Sequence, residues 1–140
     1  MDVFIDGASQ GNPGPSGIGV VFQQDGVARP VVMLHKYIGE TTNNVAEYTA
    51  LIYALQEALI RGYKSLRVHT DSELVAKQLS GEYRVREASL QPYYDQFLHL
   101  QQGFASLEIV AIPREQNRAA DRLANEAIEA RIDRSLKRRS

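Results

Sequence analysis

Four acidic side chains stand where the chain changes from one kind of structure to another. Asp6 follows the apolar run Val3–Ile5, and Asp71 directly follows Leu66–Thr70. Glu47 and Asp121 fall in the first turns of two stretches with helical periodicity. Carboxylates brought together repel one another unless cations sit between them. Magnesium favours a few carboxylates together with water and phosphate oxygens. Two such ions about 3.5–4 Å apart activate an attacking water and stabilise a leaving oxygen in phosphoryl transfer. Each acid also has a purely local explanation. Asp6 begins an Asp-Gly turn, and Glu47 completes a capping box opened by Asn44. Asp71 and Asp121 favour the positive starts of their helices. The acids alone leave both readings open.

The elements that would position them alternate in a single pattern without repeats or linkers. Val3–Ile5, Gly17–Gln24 and Val31–Ile38 read as strands joined by short turns, an antiparallel meander. The period then changes. Between Val45 and Arg61, Tyr48, Leu51, Ile52, Leu55 and Leu59 form one helical face closed by Gly62. A strand over Leu66–Thr70, helices over Ser72–Leu79 and Ser89–Gln102, a strand over Leu107–Ile112 and a helix from Arg118 to about Ile132 follow. The order βββαβααβα predicts an α/β fold: a five-stranded mixed sheet with helices on both faces. Its first, fourth and fifth strands run parallel through right-handed crossovers. In open sheets of this kind ligands bind beyond the carboxyl ends of parallel strands, where strand ends and helix starts meet.

Length and composition set bounds. A chain of 140 residues, 44% hydrophobic and 24% charged, suits one globular domain with a full core, here expected over 1–132. No cysteine is present, which excludes disulfides and thiolate metal sites and fits a reducing cytoplasm. No signal peptide or membrane-length apolar run is visible, so no membrane partner is expected. Nothing asks for a partner subunit, and a monomer is expected. The net charge of −1 gives no hint of nucleic acid, whose binders usually carry a basic excess. Basic residues do gather at the end: Arg131, Arg134, Lys137, Arg138 and Arg139 stand against Asp133. Residues 133–140 read as a flexible solvated tail or as a weak contact with a polyanion.

The surrounding motifs are more specific than the acids. Ile5-Asp6-Gly7-Ala8-Ser9, continued by Gly11-Asn12-Pro13-Gly14-Pro15 and Gly17-Ile18-Gly19, resembles the first motif of the type 1 ribonuclease H family. Thr41-Thr42-Asn43-Asn44-Val45-Ala46-Glu47 resembles its second motif and Thr70-Asp71-Ser72 its third. Arg114-Glu115-Gln116-Asn117-Arg118-Ala119-Ala120-Asp121-Arg122-Leu123-Ala124 resembles its fourth, in the form without the histidine loop. The motifs occur in the family's order and spacing over nearly the whole chain. The resemblance implies a ribonuclease H-like fold and hydrolysis of the RNA strand of RNA–DNA hybrids to 5′-phosphate and 3′-hydroxyl ends. Asp6, Glu47, Asp71 and Asp121 would hold two magnesium ions, with manganese a possible substitute, and the Gly7 carbonyl would add to the metal shell. Asn43, Asn44 and Glu73 would read RNA hydroxyls or base edges in the minor groove. Ser9, Gln10 and Gly11 would lie along the RNA strand, and Asn12 and Thr42 would grip a DNA phosphate. Asn12 also suits a rigid turn, and Asn43 and Asn44 also suit helix capping.

Two departures from the family pattern stand out. No histidine lies near the last acid, so Arg114 is the candidate to contact the scissile phosphate; a fixed cation, it cannot shuttle a proton at neutral pH. His35, His69 and His99 fall inside predicted elements and read as structural or surface residues. The basic protrusion is also missing: no tryptophan is present, and Ser80–Ser89 offers only Arg84 and Arg86. Few phosphates would then be neutralised, giving a shallow salt slope. Two alternatives stay open: a catalytically weak binding module of the same fold, and a related nuclease that also cuts double-stranded RNA.

Overall fold

The computed structural model describes residues 1–139, with side chains through Ile132. Strands β1 (Asp2–Ser9), β2 (Gly14–Gln23) and β3 (Pro30–Thr41) form the antiparallel meander. Helix α1 (Asn43–Ile60) leads to β4 (Ser65–Thr70), then to α2 (Glu73–Leu79) and α3 (Gln91–Gln101). Strand β5 (Ser106–Ala111), a 3₁₀ turn at Arg114–Gln116 and α4 (Arg118–Arg139) complete the chain. The sheet order is β3-β2-β1-β4-β5, with β4 parallel to both β1 and β5. No helix among the described residues is long and apolar enough to cross a membrane.

The two sheet faces follow from alternation along the strands. Val3 and Ile5 of β1, Ile18, Val20 and Phe22 of β2, and Leu66 and Val68 of β4 face α1 and form the main core. Helix α1 meets them with Tyr48, Leu51, Ile52 and Leu55, all buried. Helices α2 and α3 close this side with Val75 and Phe97. Burying each such side chain contributes roughly 1.5–3 kcal/mol, which fixes α1 on the sheet. On the opposite face α4 packs across β2, β3 and β1, with Ala120 and Leu123 meeting Val21 and Phe4.

The expected order, topology and two-faced helix packing are all present. Three local expectations differ. Strand β1 runs through Asp6-Gly7 to Ser9, because β2 pairs with every residue of it; Asp6 therefore stands inside a strand and opens no turn. Helix α1 is capped by Thr42, whose hydroxyl accepts from the Val45 N–H at 3.3 Å, so Asn44 opens no capping box and Glu47 lies in the second turn. Helix α4 continues to Arg139 instead of ending near Ile132. The side chains of the basic stretch 133–140 lie outside the described residues.

Candidate active site

Strand register is the first cause of the site. The last parallel pair of β1 and β4 is Ile5 with Thr70, so Asp6 and Asp71, one residue further along each strand, come side by side. Alternation puts both on the α4 face. Glu47 arrives from the other layer. It shares the buried stripe of α1 with Leu51, Ala54 and Ala58, so its carboxylate is carried inward and is only 7% exposed. Gly7 lets it through: a Cβ there would overlap the Ala46 backbone, so α1 sits directly on β1. The Gly7 N–H then donates to Glu47 Oε1 at 3.0 Å. Oxygens of Asp6, Glu47 and Asp71 all lie within 4.8 Å of one another.

Asp121 is positioned by a second bare backbone. Asp6 pairs with Gly19 across β1 and β2. A Cβ at Gly19 would overlap the Ala120 carbonyl, and one at Gly17 the Ala124 carbonyl. The start of α4 therefore lies against the sheet beside Asp6. Asn125, one turn further on, donates from Nδ2 to the Asp121 carbonyl at 2.9 Å and to its Oδ1 at 3.3 Å. Asp121 and the other three acids line one open cleft of about 380 Å³.

Crowding these groups has an electrostatic cost. Burial, followed by the adjoining Glu47, pushes the Asp6 carboxyl far above the usual carboxylate range. Burial raises Glu47 too, against the lowering effect of its hydrogen bonds from Asp6 and Gly7. Glu47 Oε2 is buried and has no hydrogen-bond partner. An unsatisfied buried oxygen on a carboxylate grouped with other acids fits a hard oxygen-seeking cation, which would replace both the missing partner and the shared protons.

The other expected residues fall into three groups. Ser9, Asn43, Asn44 and Arg114 line the carboxylate cleft with Gly7 and Ser72. Arg114 is exposed and carries no ion pair among the described residues. Asn12 and Thr42 lie beside the cleft and bind backbone: Asn12 Oδ1 accepts the Asn43 N–H at 2.8 Å, and Thr42 caps α1. Asn43 Oδ1 in turn accepts from the Ser9 N–H at 3.0 Å, lashing the β1–β2 loop to α1. Both asparagines keep their side-chain NH2 for another acceptor. Gln10 and Gly11 form the exposed tip of that loop. Glu73 faces an adjoining cleft with Asp71 and Arg114, where it pairs with Lys77 at 3.1 Å.

Sequence reasoning missed Asn117 and Asn125. Asn117 is 1% exposed, and its Nδ2 donates to the Ile5 carbonyl at 2.8 Å and to Asp71 Oδ2 at 3.0 Å. It thereby ties β1, the end of β4 and the start of α4 together. The available signal was spacing: both asparagines lie four residues from Asp121, on the same helical flank. His69 is structural, stacking on Phe4 at 4.4 Å and bonding Asp2 at 2.9 Å, while His35 and His99 are exposed on the surface.

A family described as reverse transcriptase-like matches residues 4–127. The chain is 40% identical over 132 residues to the bifunctional protein Rv2228c of Mycobacterium tuberculosis (strain ATCC 25618 / H37Rv), covering 93% of this chain and 36% of that protein. It is 41% identical over 130 residues to ribonuclease HI of Halobacterium salinarum, covering 92% of this chain and 64% of the relative. The chain thus spans between about a third and two thirds of the length of these curated relatives. The crystal structure of LC11-RNase H1 in complex with an RNA/DNA hybrid superposes with a TM-score of 0.89 at 41% identity, covering 94% of this chain and 98% of that one. The five-stranded mixed sheet with its helices agrees with these likenesses, and the chain belongs to the ribonuclease H family, in its type 1 branch.

Proposed function

We infer that this chain is a divalent-cation-dependent endonuclease that hydrolyses the RNA strand of RNA–DNA hybrids, leaving 5′-phosphate and 3′-hydroxyl ends. The observation that carries the reading is the buried Glu47 oxygen without a partner, set against Asp6 and Asp71. Asp6, Glu47, Asp71 and Asp121 are the residues to hold two magnesium ions, with the Gly7 carbonyl adding to the shell. Bound there, such ions supply an activated water and neutralise charge on the leaving oxygen.

The chain's own residues do the positioning. A phosphodiester needs no protein nucleophile when water, phosphate and cations are held in line. Asn117 holds the Asp71 carboxylate, and Gly7 holds that of Glu47, so neither turns away when a phosphate enters. Arg114 lies on the cleft wall with Asp121 and presents a fixed positive charge to the scissile phosphate. Asn43 and Asn44, on the wall beside the carboxylates, offer amide donors to the 2′-hydroxyls that distinguish RNA from DNA. Ser9, Gln10 and Gly11 follow the RNA strand. The free NH2 of Asn12 and the hydroxyl proton of Thr42 take a phosphate of the DNA strand. Glu73 reads the groove from beyond Asp71. This single domain acts as a monomer in the cytoplasm.

The test is cleavage of an RNA–DNA hybrid labelled on either strand, with magnesium and with a chelator, followed by analysis of the new ends. RNA cut only with the metal, leaving 5′-phosphates, is the expected result. Cutting that survives the chelator, or 2′,3′-cyclic phosphate ends, would overturn the reading. A parallel lane of double-stranded RNA measures how strictly the hybrid is preferred.

A further inference from the structure

Asp121 stands apart from the other three acids. Oxygens of Asp6, Glu47 and Asp71 lie within 4.8 Å of one another, and Asp121 is outside that group. The trio is compact enough to close on one hard cation. Asp121 borders Asp6: after burial and Glu47, it is among the groups that push the Asp6 carboxyl upward. A second cation would rest between Asp6 and Asp121, with fewer carboxylates than the first. Its affinity then depends on how the Asp121 carboxylate is turned.

Glu47 is held by the Gly7 N–H and Asp71 by Asn117. The corresponding donor for Asp121 is Asn125, whose Nδ2 meets its Oδ1 at 3.3 Å; no other protein donor among the described residues reaches that carboxylate. The same Nδ2 lies 2.9 Å from the Asp121 carbonyl, which can only accept, so the amide nitrogen must face it. The backbone beneath Asn125 is fixed. A Cβ at Gly17 would overlap the Ala124 carbonyl, and Ala127 and Ile128 are buried. Asn125 itself is half-buried and lines the carboxylate cleft. Asparagine is a poor helix former whose side chain competes for backbone bonds, and alanine would suit α4 better here. A residue that goes against the local preference while bonding a site carboxylate fits a role at the site. We propose that Asn125 is a positioning residue that turns Asp121 to receive the second cation and so sets the cation concentration at which the chain works. This rests on the two-cation reading above.

The experiment compares wild type with Asn125→Ala and Asn125→Gln. Alanine removes the donor, and glutamine keeps an amide that reaches an aspartate one turn back. Manganese binding to the free proteins is measured from the loss of the free-ion EPR signal. Single-turnover cleavage of a hybrid is followed across a magnesium titration. In Asn125→Ala the weaker manganese site is expected to lose about tenfold in affinity, with the tighter one unmoved, the usual scale for removing a partner of a ligating carboxylate. The magnesium midpoint should rise by the same factor, with most of the loss in the midpoint and not in the rate at saturation. Asn125→Gln should recover most of it. In a chelator the melting temperature of Asn125→Ala should be unchanged or higher, where a purely structural bond would lower it. Manganese binding and a magnesium midpoint like those of wild type in Asn125→Ala would overturn the proposal. So would an Asn125→Gln protein as impaired as Asn125→Ala, or a lowered melting temperature as the sole change. A wild-type chain that cuts no hybrid would instead overturn the functional reading, and the manganese isotherms would still decide this one.

Discussion

Asn117 is where the alignment of the acids converges. Its amide serves a backbone carbonyl on β1 and a carboxylate beyond β4 at once, from a position with almost no solvent contact. Replacing it with alanine leaves both acceptors unpaired in a buried setting. A loss of about 1–3 kcal/mol in stability is expected by denaturant titration, with a fall in kcat as Asp71 is released. Full activity in a folded Asn117→Ala protein would remove it from the site. Arg114 acts differently. It is exposed and holds nothing in place, so Arg114→Ala is expected to fold normally, keep its cation affinity and lose about a hundredfold in turnover, at the low end for one lost charged donor. Unchanged turnover would exclude Arg114 from the reaction.

At the scale of elements, two bare backbones set the distances between layers. Gly7 admits α1 onto β1, and Gly19 admits α4 onto β2, so the carboxylates of both helices reach the sheet rim. Gly7→Ala would force the Ala46 carbonyl away. The expected cost is about 1–3 kcal/mol, seen as a lower melting temperature together with lost activity. An alanine tolerated there without change would mean that helix approach does not set the site. Much of this frame was legible from sequence. Periodicity placed α1 through Leu51 and Leu55, the βββαβααβα order predicted the strand neighbours, and flanking motifs marked all four acids. Residues whose role depends on a partner distant in the chain were not legible. The cap at Thr42 looked like Asn44, because Thr and Asn both suit an N-cap and only backbone geometry distinguishes them. Asp6-Gly7 looked like a turn because nothing local reveals that β2 pairs along the whole of β1. Asn117 bonds residues 112 and 46 positions away, a separation that no local pattern encodes.

For the whole molecule, the acids make stability depend on pH and on cations. Asp6 and Glu47 titrate above their ordinary values in the fold, so without metal the native state binds protons that the unfolded chain has released. Stability therefore falls as pH rises above about 4, through neutrality. Asp2, held below its ordinary value by His69 and Arg67 against a raising effect of burial, acts in the opposite direction, at lower pH. In a chelator the melting temperature is expected to be lower at pH 8 than at pH 5.5. Millimolar magnesium should raise it more at pH 8, because binding needs the ionised forms. Asp6→Asn removes one buried acid and should melt higher than wild type in the chelator while losing the gain from magnesium. A wild-type melting temperature that rises from pH 5.5 to pH 8 without metal would contradict this linkage.

The same variant gives the most direct test of the four-carboxylate site. Single-turnover cleavage of one RNA–DNA hybrid is followed across a magnesium titration for wild type and for Asp6→Asn, with both proteins shown to be folded. The expected result is a wild-type rate that saturates with magnesium and a variant slower by about 10³-fold at every concentration, the loss of several kcal/mol of charge stabilisation. A variant that cuts within a fewfold of wild type, or a wild-type rate indifferent to magnesium, would contradict it.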